Sequence, residues 1–552
     1  MVEFYVKPIL IMKNKYFILL SSLVVVWMLF GVFPLICYEG DSMHIINGVT
    51  IMYNSGTWEL PPTCSYQYDM QPLVTITLLC LKYCLSFLSV EQIYCLISAL
   101  SAIVFFMMSL AFVKKITNMD WGLLLIAILL IPESFAIAMY PNSSILAAVL
   151  FIIGLTLLLD SKIIPSIMLL GIAPLFRMDI MVVYPAIFGI LCYNGPESIT
   201  YINKLKKPLF TSILIGVVAV SITTVGCYLL AANPIKSIFD LKSQTENERY
   251  QAVVPFTILS FYTLVNVVLL PWGIYKSFKE KKYVILLVGL VPILLIHWIY
   301  RGQGTATKHF MYLIPFVILF TAPVIKDILN GSRGIVLRSL FIAVVVLYNV
   351  ISIRADMPLK TKQWMNEDWS SSKLGPIYHL IGENKTNFKI QLGLGAGQLI
   401  PTADEYMLFS GNIVYPLFIN NYKYTKKDSI DAIINFFEKP GEYYILSGSW
   451  EGHSSFANRW LNKGYSFKRV ELGGKFASDI YILSDNMHKY TLHEELLYEN
   501  KTKFKERIER LSKEHDKLYV VTLHENETLL LNQLEGEGVV KKVMSNLYIA
   551  ER

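Results

Sequence analysis

From its N-terminus to about residue 353 the chain alternates long apolar runs with short polar breaks. The runs lie at 17–37, 91–113, 121–139, 143–159, 163–176, 179–193, 209–231, 252–274, 283–299, 309–325 and 335–353. Most approach the ~20 residues that cross a bilayer as a helix. The pattern predicts a polytopic α-helical membrane protein with about eleven transmembrane helices. One further apolar run, Pro72–Val90, begins at a proline and carries Lys82 near its middle. It is read as an interfacial or re-entrant helix. The runs at 163–176 and 179–193 are short and meet at Arg177-Met178-Asp179.

After Arg354 the pattern changes. Strand-length apolar runs at Phe388–Leu394, Tyr443–Leu446, Ile480–Leu483, Tyr519–Leu523 and Leu547–Ala550 alternate with helical stretches at Asp428–Phe437 and Ser454–Leu461. This predicts a C-terminal extracytoplasmic α/β domain over 354–485. A tail follows over 486–552, in which Lys501–Asp516 reads as a charged, solvated helix. Segments 442–485 and 517–552 share an order: strand, polar turn with His, helix, Gly, Lys-rich strand, strand. The tail is therefore a candidate partial repeat.

Charge fixes orientation. The 552 residues are 54% hydrophobic and 16% charged, against roughly 25% charged in soluble domains. The net charge of +7 is assigned to membrane orientation, not to nucleic acid. With 72–90 kept out of the span count, Lys114, Lys115, Lys204, Lys206, Lys207, Lys279, Lys281 and Lys282 all fall in inner loops, as the positive-inside rule requires. Counting 72–90 as a span would reverse that bias. An odd number of spans then puts residues 354–552 outside the cytoplasm. The N-terminal run is too long for a signal-peptide core and no small-residue cleavage site follows it, so it is read as an uncleaved first span.

Seven cysteines occur, none after Cys227, which excludes a Cys-based zinc site or disulfide framework in the C-terminal region. A Cys37–Cys64 bridge is conceivable. Gly393, Gly395 and Gly397 do not form the dinucleotide fingerprint and read as a tight strand-to-helix turn.

The candidate chemistry lies in the first loop, Tyr38–Pro72. It holds Glu39, Asp41, Glu59 and Asp69 and no Lys or Arg. Apolar residues at 43, 45, 46, 49, 51 and 52 predict a helix with one wet face, and Asp41 stands at its start, an N-cap position. Asp41 reads either as an ordinary cap or as a general base that takes the proton of an acceptor hydroxyl at the membrane surface. His44 shares its face at helical spacing. The loop's carboxylates could hold a divalent cation, but their spacing matches no metal motif.

This loop resembles that of the GT-C superfamily of membrane glycosyltransferases, in the branch of protein O-mannosyltransferases and the lipid A aminoarabinose transferase. The resemblance rests on Asp41, on Ser55-Gly56-Thr57-Trp58 closing an amphipathic helix, and on Asp69 just before a Pro-led interfacial helix. Two departures stand out. Relatives often carry Asp-Glu where this chain has Asp41-Ser42, and Lys-Pro-Pro where it has Gln71-Pro72-Leu73. The resemblance extends to a basic residue between two short spans, here Arg177. It extends also to one in a late loop ahead of Tyr312-Leu313-Ile314-Pro315, here Lys308, with Arg301 nearby.

The resemblance implies a polyprenyl-phosphate-sugar donor and a glycan, lipid or protein acceptor. Asp41 and Asp69 would be catalytic, and Arg177, Lys308 and Arg301 would bind the donor phosphate. His44, Trp58, Asn142 and Tyr312 would contact donor or acceptor. The expected protein is a multi-pass cell-membrane enzyme in contact with membrane lipids. Two other readings remain open at this point. A secondary transporter would need ionisable or broken helices at mid-membrane in two related halves, and a scaffold for the C-terminal domain would not need the acidic loop.

Overall fold

The structure is a computed structural model. It describes residues 18–19, 21–22, 40–56, 65–131, 143–193, 206–235, 254–299, 307–330, 338–344, 432–433, 435–447, 466–471, 479–484, 487–494, 501–521 and 525–551. The apolar run at 17–37, Cys37, Cys64, the strand at Phe388–Leu394, the glycines at 393, 395 and 397 and the helix at Ser454–Leu461 lie largely or wholly outside them.

The first loop supplies three helices. Helix α1, Gly40–Ser55, buries Ile45, Ile46, Val49 and Met52 along one face. It ends where Gly56 turns into the left-handed region at φ +65°, a conformation open to glycine and costly to a residue with a Cβ. Helix α2 spans Ser65–Met70 and helix α3 Pro72–Cys84, with α1 packed against both. Thirteen residues of α-helix reach about 20 Å, short of the ~30 Å hydrocarbon thickness. Lys82 does not sit in bare apolar surroundings. Its ammonium donates to the carbonyls of Ser86 at 2.7 Å and Leu88 at 2.6 Å and lies over the ring of Tyr53 at 4.8 Å. The cation thus caps the end of α3 and ties it to the end of α1.

Helix α4, Val90–Thr117, opens on a capping box in which Ser89 and Gln92 exchange hydrogen bonds, and closes on Asn118 in the left-handed region. Helix α5, Trp121–Leu129, stops early, and the carbonyl of Leu130 is taken by Nδ2 of the buried Asn266 at 2.8 Å. A helix end inside an apolar bundle needs such a partner. Helices α6, Ser143–Leu159, and α7, Ile163–Phe176, match the predicted runs and cross closely. A Cβ at Gly154 would lie 3.0 Å from Leu170, and Ser166 Oγ donates to the Gly154 carbonyl at 2.8 Å. Small residues and interhelical hydroxyls are how helices associate where lipid removes the hydrophobic drive.

The run at 179–193 is not one helix. Arg177 is extended (φ −168°, ψ 116°), Met178–Val183 forms a 3-10 turn, and helix α8 covers only Ala186–Leu191. Pro174 and Pro185 flank the break, and proline does not support a continuous helix there. Helices α9 (Lys206–Leu229), α10 (Val254–Lys279) and α11 (Tyr283–Ile299) follow. A 3-10 turn at Thr307–Leu313 then leads into helix α12, Ile314–Asn330.

The bundle has two chemically distinct ends. Lys115 pairs with Asp160, Tyr193 donates to the carbonyls of Lys115 and Ile116, and Lys276 pairs with Asp327. These groups gather at the far ends of α4, α6, α10 and α12. Ser143, Arg177 and Tyr312 mark the opposite end. One ion pair joins the end of α4 to the residue after α6, and the other joins the end of α10 to the last turns of α12.

The C-terminal region forms one seven-stranded sheet in the order β2-β3-β4-β1-β5-β7-β6. The strands are β1 (Gly441–Ser447), β2 (Ser466–Glu471), β3 (Asp479–Ser484), β4 (His488–Glu494), β5 (Lys517–Val521), β6 (Lys541–Met544) and β7 (Leu547–Glu551). Strand β1 is parallel to both β4 and β5, and the remaining pairs are antiparallel. Strands from 442–485 and from 517–552 thus share one sheet, joined at β1 and β5. Helix α13, Lys501–Glu514, is not solvated all round. It buries Phe504, Ile508 and Leu511, four and three residues apart, against Leu518, Val520, Leu531 and Tyr548. Its charge outnumbers its apolar residues, which hid a narrow packing stripe. Helix α14, Glu525–Gly536, packs through Leu531 and Leu534 in the same cluster. Strand β2 lies beside α1, so the sheet and the first loop are neighbours.

Candidate functional site

The helix break at Arg177 builds the site. An extended residue between α7 and a 3-10 turn points a long side chain across the end of the bundle instead of along a helix. Its guanidinium is 13% exposed. Nε donates to Oδ2 of Asp179 at 3.0 Å, and Nη1 donates to Oγ of Ser143, the first residue of α6, at 3.0 Å. The other carboxylate oxygen of Asp179, Oδ1, accepts the hydroxyl of Tyr312 at 2.7 Å. Tyr312 is fully buried in the turn Thr307–Leu313. Three segments far apart in sequence are thereby locked to one guanidinium. Charge-assisted bonds of this kind are shorter and stronger than neutral ones.

The first loop reaches the same end. Met70 and Leu73 pack against Leu175, Met178 and Cys227, so the elbow between α2 and α3 sits on the residues flanking Arg177. The Asp69 carboxylate accepts the backbone N–H of Asn233 at 2.7 Å, just past the end of α9. Tyr68 donates its hydroxyl to the Leu230 carbonyl at 2.6 Å. Burial first, and the neighbouring Asp69 charge second, push the Tyr68 phenol up, so it stays a donor. Asp69 and Tyr68 together satisfy groups that the end of α9 leaves open.

The sequence-predicted residues are placed as follows. Asp41 and His44 fall in the first two turns of α1. Asp41 is one residue inside the helix, not at its N-cap, a position where the helix dipole still favours a carboxylate. Lys308 falls in the 3-10 turn, four residues before Tyr312. The side chains of these three lie outside the described residues, as do Trp58, Asn142 and Arg301 altogether. Tyr312 does not stand in the open; it backs Asp179. Arg177 and Tyr312 are brought together, and Asp69 is brought to the same end.

Sequence reasoning saw Asp179 as a charge beside Arg177 but gave it no place in the site, and it missed Ser143. Asp179 carried a signal, an acid two residues from Arg177 inside an apolar stretch. Ser143 carried none, because a serine opening a helix is ordinary. His297 of α11 is also at this end, its ring edge-on to Phe310 at 5.0 Å and its Nδ1 on the Ile293 carbonyl at 2.7 Å. Among the described residues no group of three His, Cys, Asp or Glu side chains could hold a metal ion.

No protein-family model matches the chain, and no curated protein matches it. Two solved structures share its fold. One is ArnT from Cupriavidus metallidurans bound to undecaprenyl phosphate, with a TM-score of 0.57 and 12% identity over 98% of each chain. The other is the same protein in the apo state, with a TM-score of 0.54 and 12% identity over 97% of this chain and 98% of that one. The chain therefore shares the fold of these two structures over nearly its whole length.

Proposed function

We propose that this protein is a membrane glycosyltransferase that moves a sugar from a polyprenyl-phosphate donor to an acceptor hydroxyl. The observation that carries the reading is Arg177, fixed by Asp179 and Ser143 at the end of the bundle that also receives the acidic first loop. The shared fold with an ArnT structure bound to undecaprenyl phosphate supports it. Ionisable residues at an edge of a membrane bundle, set on irregular backbone, are functional by default.

The reaction is a single inverting displacement. Asp41 takes the proton of the acceptor hydroxyl, the oxygen attacks the anomeric carbon, and the bond from that carbon to the phosphate oxygen breaks. Polyprenyl phosphate leaves with the electron pair, and the phosphate needs no general acid. Its charge grows by one unit as it leaves. Asp179 offsets much of the Arg177 charge, so Arg177 orients the phosphate while Lys308 and Arg301 meet the developing charge. Asp69, held against Asn233, fixes the loop beside the reacting groups. With β2 beside α1, the C-terminal sheet covers the first loop and shapes acceptor choice. The sheet then lies on the extracytoplasmic side.

The experiment is a transfer assay with the purified full chain, undecaprenyl-phosphate-linked sugars and cell-envelope acceptors. Sugar transfer by wild type and its loss in Asp41→Asn, with an unchanged melting temperature, is the expected result. A wild type that releases no undecaprenyl phosphate from any donor overturns the reading.

A further inference from the structure

We infer that α10 holds an anionic glycerophospholipid on its exposed face, at the end of the bundle opposite Arg177. The phosphate sits on Lys279 and Lys281, and the acyl chains run along Tyr275 and Trp272. This surface is separate from the candidate site, so the inference stands independently of the transferase reading.

Helix α10 has two faces. Leu269, Leu270, Gly273 and Ser277 are buried, and a Cβ at Gly273 would run into the Phe320 carbonyl oxygen of α12. Trp272, Tyr275 and Phe278 are 62%, 64% and 63% exposed. Trp272, Tyr275 and Lys279 follow one another at three and four residues, so the cation continues the aromatic face. Helix α9 also exposes a long apolar side, but mostly through aliphatic residues such as Ile213, Leu214, Val217 and Val225, which suit any acyl chain. Among the described helices α10 alone exposes three aromatic side chains.

The charge at that end is unbalanced. Lys276 pairs with Asp327 and, at 3.8 Å, with Glu280, and Lys282 pairs with Glu280. Both carboxylates are thereby engaged. Lys279, Lys281 and Lys326 are exposed and form no ion pair among the described residues. The turn that carries Lys281 is well defined. Lys281 lies at φ +55°, its N–H donates to the Phe278 carbonyl at 3.0 Å, and the N–H of Lys282 donates to the Ser277 carbonyl at 2.8 Å. This is the Schellman closure of a helix. It fixes where the Lys281 side chain leaves the backbone, one short turn beyond Lys279.

An anionic phospholipid matches both halves of this surface. Its phosphate oxygens are negative and accept charge-assisted hydrogen bonds from the two ammonium groups. Basic residues just beyond a membrane helix attract acidic lipid headgroups. A zwitterionic lipid brings its own cation, which Lys279 and Lys281 repel. The rings of Tyr275 and Trp272 have a polar tip and an apolar body, the combination favoured between headgroups and acyl chains. Exposed Val268 extends the face. At 1.5 Å per residue it lies about 16 Å from Lys279, close to the ~15 Å hydrocarbon depth of one leaflet.

The test titrates the purified full chain in a neutral detergent with phosphatidylglycerol or phosphatidylcholine carrying the same acyl chains. Native mass spectrometry reads bound lipid, and melting temperature reads the linked stabilisation. Wild type is expected to favour phosphatidylglycerol about tenfold and to lose much of that preference at high salt. Lys279→Gln combined with Lys281→Gln should abolish the preference and leave phosphatidylcholine binding unchanged. Lys207→Gln, which removes an exposed lysine at the start of α9, should change neither. A wild type without the preference, a lysine pair that keeps it, or a comparable loss in Lys207→Gln overturns the inference; the last would mean general attraction to a basic surface. Trp272→Leu combined with Tyr275→Leu keeps the face apolar and is expected to weaken phosphatidylglycerol several-fold. Unchanged binding there overturns the inference too, whether or not the lysine variant folds.

Discussion

Tyr312, 133 residues downstream of Asp179, donates its hydroxyl to the Asp179 Oδ1 at 2.7 Å. That bond joins the turn before α12 to the break after α7, and through Asp179 it holds the Arg177 guanidinium in place. The cation of the candidate site is thus positioned from behind by a fully buried phenol.

Removing the phenol should loosen the cation. Tyr312→Phe is expected to lower stability by about 1.5–3 kcal/mol, the range for a hydrogen bond to a charged group. It should also weaken undecaprenyl phosphate binding several-fold, because Arg177 loses its fixed orientation. Melting of the detergent-solubilised protein and lipid titration check the two effects separately. A drop in stability with unaltered lipid affinity would leave Tyr312 a packing residue only.

Loss of the base should cost rate and not stability. Asp41→Asn is expected to reduce sugar transfer by roughly 10²–10⁴, the usual contribution of general acid–base catalysis. Donor affinity should stay near wild type, since Asp41 is assigned to the acceptor proton. Single-turnover transfer measured beside donor binding gives the comparison.

Helix contact should depend on one hydrogen atom. A Cβ at Gly273 of α10 would lie 2.1 Å from the Phe320 carbonyl oxygen of α12, whereas a Cβ at Gly216 of α9 meets nothing within 4 Å. Gly273→Ala is expected to destabilise by about 1–3 kcal/mol or more through overpacking against backbone. Gly216→Ala should be neutral or stabilising by up to about 1 kcal/mol. Thermal melting of the two variants side by side tests the contrast.

The C-terminal sheet should show a weak acid dependence. Hydrogen bonds from Lys489 first and Tyr444 second hold the Glu442 carboxyl below its usual 4.5. A depressed carboxylate stabilises the fold above its unfolded value, and that contribution is lost as pH falls through the folded value. Glu442 and Lys489 are 45% and 49% exposed, so solvent screening limits the effect to no more than about 0.5 kcal/mol. Melting of wild type and Glu442→Gln at pH 7 should differ slightly, and the difference should fade as pH falls from 4.5 through the lowered folded value.

Much of the architecture was legible along the chain. Runs at 143–159, 163–176 and 283–299 match helices residue for residue, because a membrane-length apolar run has no other low-energy conformation in hydrocarbon. The run at 179–193 was misread as one helix. Past Asp179 its composition is mostly apolar and Pro185 alone signalled a break, which the packing of α8 against α11 and of the 3-10 turn against α7 completes. In the C-terminal region β1, β3, β5 and β7 were legible as strands, whereas β4, rich in polar residues, was not.

The candidate site divides the same way. Arg177 was legible because a cation in an apolar stretch is costly and therefore informative. Asp179 was visible as a neighbouring charge but not as a partner of Tyr312.

The sequence by itself determined the apolar helices at 143–159, 163–176 and 283–299 and the acidic character of the first loop, since each follows from local composition and the cost of moving polar groups into lipid. Only the tertiary structure decided that Ser143, Arg177, Asp179 and Tyr312 share one network and that Asp69 reaches the end of α9. Those facts depend on which helix ends meet in space, and hydrogen-bond geometry at a few ångströms leaves no periodic trace in the chain.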